Sequence, residues 1–68
     1  MSCRLFLNGR ALDTDAASLA DLLRTEGFDL SGAIACAVNR AFVPRSQWAS
    51  RPLDDGDQID VISPVTGG

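Results

Sequence analysis

One stretch of this chain has the apolar spacing of a helix. In "SLADLLRTEG", Leu19, Leu22 and Leu23 fall at i, i+3 and i+4 and form a single stripe. Ser18 is placed to cap the helix, with Asp21 three residues on as an approximate capping box. Gly27 suits the left-handed stop after the last turn. The remaining apolar runs read as strands, so one helix must cover the sheet they form. For 68 residues the solution is two layers, a sheet with one helix on one face.

The strands follow from alternation and turn signals. Cys3, Leu5 and Leu7 alternate with Arg4 and Phe6. Asn8-Gly9 then tolerates the positive φ of a tight hairpin turn, and Arg10 to Leu12 form the return strand. On strict alternation Phe6 points away from the leucines, either covered by another segment or exposed as a contact. Phe28 and Leu30 close over the core beneath the loop that follows the helix. "AIACAVN", Ala33 to Asn39, puts Ile34, Cys36 and Val38 on one face and alanines on the other, which suits a central strand. "AFVPRSQW" begins as a strand that Pro44 confines to an edge or an end, and Ser46 to Trp48 form a helical turn. Trp48 is expected to be a packed anchor. Asp55-Gly56 marks a turn, after which Ile59 and Val61 alternate with Asp60 and Ile62.

The order strand, strand, helix, strand, strand, strand is shared by several α+β topologies. The helix falls between two strands that could lie side by side as a right-handed crossover. The reading adopted is a ubiquitin-like β-grasp: one domain, 1–68, with a mixed sheet of about five strands and one main helix on one face. The last strand is central, and 64–68 form a flexible C-terminal tail.

Composition bounds the function. A net charge of −3 without a basic stripe argues against nucleic acid, and permits a protein partner with a basic docking face. No stretch approaches the ~20 apolar residues of a membrane span, and the first residues lack the apolar run of a signal peptide. A soluble cytoplasmic protein is expected. Cys3 and Cys36 with no histidine cannot complete a four-ligand zinc site, so no metal is expected and both thiols read as reduced core residues. The same lack of histidine leaves no obvious acid–base catalyst, so the chain does not look like an enzyme by itself.

Glycines at both of the last two positions of "SPVTGG" raise a separate question, because loose ends rarely require two of them. Set in order, "LNG", "SLADLLRTEG", "AVN", "VPRSQW", Leu53, "GDQIDVI" and "GG" resemble the sulfur carrier proteins of bacterial thiamine biosynthesis, the ThiS family. The resemblance covers Leu5 to Gly68, and "VPRSQW" is its most specific piece. Ser63-Pro64-Val65-Thr66 departs from the apolar pair and glutamine that often precede the glycines in the family.

The resemblance implies that the reactive group is the α-carboxylate of Gly68. An E1-like, ATP-dependent adenylyltransferase of the ThiF type would activate it. A persulfide supplied indirectly by a cysteine desulfurase would convert it to a thiocarboxylate, which would pass sulfur to a thiazole synthase of the ThiG type. The chain would bind no cofactor, ATP being used by the partner. Val65, Thr66 and Gly67 would thread a partner's channel, where a Cβ at the glycines would collide with the wall. Phe6, Ile62 and Arg45 are the candidate docking residues. The small subunit of molybdopterin synthase shares this chemistry but typically lacks "VPRS-W". A ubiquitin-like protein modifier and a plain β-grasp interaction domain are the other readings.

Overall fold

The computed structural model describes residues 2–63. They form a sheet of strands β1 (Cys3–Leu7), β2 (Arg10–Thr14), β3 (Ala35–Val38), β4 (Ala41–Val43) and β5 (Gln58–Ile62), crossed by helix α1 (Leu19–Thr25). A 3₁₀ segment, Arg45–Ser50, precedes β5. The sheet order is β2-β1-β5-β3-β4, with β1 and β5 parallel and every other pair antiparallel. This is the mixed sheet of a ubiquitin-like β-grasp, and its last strand is central. The tail expected at 64–68 lies outside the described residues.

The crossover expectation needs correction. β2 and β3 flank α1 in sequence but are not neighbours, because β1 and β5 lie between them. The helix therefore lies over a sheet whose middle is completed by the last strand, a pairing fixed by contacts distant in sequence.

Local chemistry explains α1. Ser18 Oγ accepts the Asp21 N–H at 3.2 Å. Asp21 turns outward, its Oδ1 accepting from Arg24 Nη1 at 3.0 Å. Gly27 has φ +88°, and the N–H groups of Gly27 and Phe28 donate to the carbonyls of Arg24 and Leu23 at 3.1 and 2.9 Å. That pair of bonds is a Schellman stop, which only a residue at ease with positive φ can close. Leu19, Leu22 and Leu23 are fully buried beside Leu5, Ile59, Cys36 and Val38, and Phe28, Leu30 and Ile34 pack on the same core.

Strand bounds shift from those expected. β2 extends to Thr14, whereas β3 is shorter than 33–39 at both ends. At its start, Asp29 Oδ1 accepts from the backbone and hydroxyl of Ser31, and the Gly32 N–H donates to the Asp29 carbonyl, tying the segment into a turn. At its end, Asn39 and Arg40 both have positive φ, 52° and 68°. They make the β3–β4 connection a left-handed two-residue turn like Asn8-Gly9, whose φ values are 51° and 82°. β4 is an edge strand ending before Pro44, and the expected helical turn at 46–48 lies within the 3₁₀ segment.

Candidate functional site

Because α1 covers one face of the sheet, the other carries whatever the alternation sends outward. On β5, Ile59 and Val61 face the core while Gln58, Asp60 and Ile62 face away, with Ile62 63% exposed. Across the ladder, Ile62 lies opposite Ala35, Asp60 opposite Ala37, and Ala37 opposite Phe42. The two alanines rise little above the backbone, so Phe42 stands 69% exposed beyond them. Phe6 lies opposite Gln58 on β1, and it is exposed as one of its two expected alternatives requires. Phe6, Ile62 and Phe42 thus share one face, with Asp60 among them.

Phe42 was not singled out from the sequence. Its signal was Val43: once the valine is buried, alternation sends its neighbour outward. A three-residue strand gives too short a pattern to choose its face unaided.

Arg45 is exposed but not unoccupied. Its guanidinium lies 4.9 Å from the centre of the Trp48 ring and donates to the Gly32 carbonyl. Trp48 is 3% exposed, and its Nε1–H donates to the Val43 carbonyl at 2.9 Å. "VPRSQW" therefore closes on itself and ties the 3₁₀ segment to the loop before β3. Arg45 is not on the strand face that carries Phe6 and Ile62.

The central strand is fixed from both neighbours. Asn39 Oδ1 accepts the Gln58 N–H at 3.0 Å, and the Asn39 amide donates to Asp57 Oδ1 at 3.0 Å. The other Asp57 oxygen accepts the Asp54 N–H at 2.9 Å, so this buried carboxylate is hydrogen-bonded on both oxygens. Farther along, Asn8 Oδ1 accepts the Val61 N–H at 2.8 Å. β5 thus starts and ends on asparagine carbonyls supplied by the two hairpin turns.

Both cysteines are free thiols. Burial pushes Cys36 up from 9.0 to about 11. Cys3 is also raised, first by burial and then by the charges of Asp55, Asp57, Asp54 and Asp13. Such thiols hold little thiolate near neutral pH and make poor nucleophiles. Among the described residues no group of three or more metal-ligating side chains is assembled, and no helix is long and apolar enough to cross a membrane. Val65, Thr66, Gly67 and Gly68 lie outside the described residues.

This arrangement can bury one sheet face against a partner while a rigid strand leads toward the final glycines. The chain is 31% identical over 65 residues to the sulfur carrier protein ThiS of Escherichia coli (strain K12), covering 96% of this chain and 98% of that one. The crystal structure of a thiamine biosynthesis protein (ThiS) from Geobacter metallireducens superposes with a TM-score of 0.78 at 20% identity, over 96% of this chain and 99% of the other. A solution structure from the same organism gives a TM-score of 0.76 at 20% identity, over 96% and 87% of the two chains. At that identity the two structures speak for the fold. The model of the ThiS family matches residues 4–68, the expected docking and terminal positions included, and the chain belongs to that family.

Proposed function

We propose that this protein carries sulfur, as the name of its Escherichia coli relative states for that protein, that it does so for thiamine biosynthesis, and that the sulfur rides on Gly68. The observation that carries this reading is a family match that extends to Gly68, downstream of a strand held between two neighbours.

A carboxylate resists nucleophiles because oxide is a very poor leaving group. An E1-like enzyme of the ThiF type would let the Gly68 carboxylate attack the α-phosphate of ATP, releasing pyrophosphate and leaving an acyl-adenylate. A persulfide then attacks the carbonyl and AMP departs. Reduction of the resulting sulfur–sulfur bond by a thiol leaves the thiocarboxylate on Gly68. Its polarisable sulfur attacks the carbonyl-derived centre of the substrate on a thiazole synthase of the ThiG type. The chain itself is a co-substrate acting in the cytoplasm, with ATP and the catalytic groups supplied by its partners.

Two features support this division of labour. Phe6, Ile62 and Phe42 offer an apolar docking face, and the net charge of −3 suits partners with basic surroundings. All six basic residues are arginine, so no lysine amine on a second copy can intercept the activated glycine. A lysine-free surface favours a carrier over a modifier that builds chains on itself.

The test is the intact mass after incubation with an activating enzyme, ATP, cysteine and a desulfurase. Exchange of one oxygen for sulfur, located at Gly68 by fragmentation, is the expected result. Adding thiazole synthase and its substrates should then return the carrier to the carboxylate. Absence of exchange, with a competent carrier loaded in the same tube, would refute the proposal.

A further inference from the structure

β1 stops pairing with β5 at Leu7 and Ile59, because Asn8 adopts a left-handed backbone with φ 51° and the chain turns away. In a parallel ladder a residue that donates its N–H to one partner accepts, through its own carbonyl, the N–H two residues farther along that strand. Asn8 makes the first of these bonds, its N–H donating to the Ile59 carbonyl at 2.8 Å. The turn carries its backbone carbonyl away from the second. The side-chain Oδ1 takes that place and accepts the Val61 N–H at 2.8 Å. One asparagine therefore adds a rung to the ladder after the strand itself has ended. On the other side of β5, β3 continues to Ala35 opposite Ile62. Without the Asn8 rung, β5 beyond Ile59 would be held by β3 alone.

We infer that Asn8 is a positioning residue for the chemistry at Gly68, an inference that rests on the sulfur-carrier reading. Gly68 follows Val61 by seven positions, and the Asn8 rung is the last bond from the β1 side before the final residues, so it helps set the point from which they start. Misplacing a reacting group by about 1 Å can cost about 100-fold in rate. Ile62, the docking residue next to Val61, stays paired with Ala35 of β3, and Phe6 and Phe42 lie on other strands, so losing the rung alters delivery of the terminus while the docking face keeps its support.

Two substitutions separate this role from simple structural support. Asn8→Gly keeps the left-handed backbone without strain and removes the acceptor. Asn8→Asp retains an acceptor oxygen and tolerates the same backbone. Amide exchange at Val61 and Ile59 would be followed by NMR, and kcat and KM for sulfur loading measured well below the melting temperature. In Asn8→Gly, Val61 exchange should rise about fivefold relative to Ile59, the loss of one ordinary hydrogen bond. Its kcat should fall about 3–10-fold, a small part of the positioning loss above, with KM for the carrier unchanged. Asn8→Asp should restore both. Wild-type kcat in Asn8→Gly, unchanged Val61 exchange, or failure of Asp to restore would each overturn the inference. If the wild-type chain is not loaded at all, the carrier reading falls, while the exchange measurement still decides whether Asn8 holds Val61.

Discussion

Replacing Phe42 by serine tests whether the outward sheet face is a docking surface. The ring is 69% exposed. Taking roughly 200 Å² for a phenylalanine side chain, about 140 Å² is open to a partner. Complete burial of that area would contribute at most about 3.5 kcal/mol. A partner that covers half of it gains about 1.7 kcal/mol, which corresponds to roughly an 18-fold change in affinity. Little of the ring contacts its own chain, so Phe42→Ser should leave the melting temperature within a few degrees of wild type. The assay is ATP–pyrophosphate exchange by the activating enzyme as a function of carrier concentration. KM for the carrier should rise about 10–30-fold, with kcat at saturating carrier preserved. An unchanged KM would refute docking through this face. A large drop in melting temperature would refute the premise that Phe42 serves a partner rather than the fold.

Three further outcomes are expected. Arg40→Gly relieves a left-handed conformation costing about 1–2 kcal/mol and adds about 0.4–1 kcal/mol of unfolded-chain entropy, so the net gain is about 0.5–1 kcal/mol. Thermal melting should register it as a rise of about 4 °C, and a fall would show that the arginine side chain contributes more than its backbone costs. Burial holds the Cys36 thiol at about 11 against an ordinary 9.0, so the unfolded chain ionises first and stability should decline as pH rises from 9 to 11. Urea midpoints of wild type and Cys36→Ala across that window should converge, and parallel curves would contradict the assignment. Gly68→Ala should melt like wild type yet accept sulfur about 10–200-fold more slowly, the range for one misfitting methyl group in a close channel. An unimpaired rate would contradict threading.

Much of the fold was legible because its signals are short-range. Asn8-Gly9, the leucine stripe and Gly27 each specify local backbone through sterics that need no distant partner. The β3–β4 turn was missed because Asn39, which tolerates positive φ, was read as the end of the strand and the Arg40 after it is a poor left-handed residue. Surrounding structure imposes that conformation: Asn39 is tied to Gln58 through both its backbone and its side chain, and to buried Asp57. The order of strands depended on pairs far apart in sequence. The element order is shared by several topologies and supported the β-grasp only weakly, and the run of motifs strengthened that reading.

The site divides in the same way. Phe6 and Ile62 could be placed outward from alternation alone, but the alanines of β3, read as one face of a central strand, do not announce an exposed surface. Ala35 and Ala37 are instead the floor of an uncovered face. Replacing that floor with larger side chains would surround Ile62 and Phe42, whereas methyl groups leave them standing clear. Arg45 shows the converse limit, because a cation in a distinctive motif invites a partner carboxylate. The physical cause of its position is internal: an aromatic face and a backbone carbonyl satisfy it without one. Asn8 was read as a turn former, and its second use depends on a strand 53 residues away. A side chain selected for its backbone geometry also brings a carbonyl to the one gap that this geometry opens in the ladder. The same residue thereby ends one strand and steadies the strand that leads to Gly68.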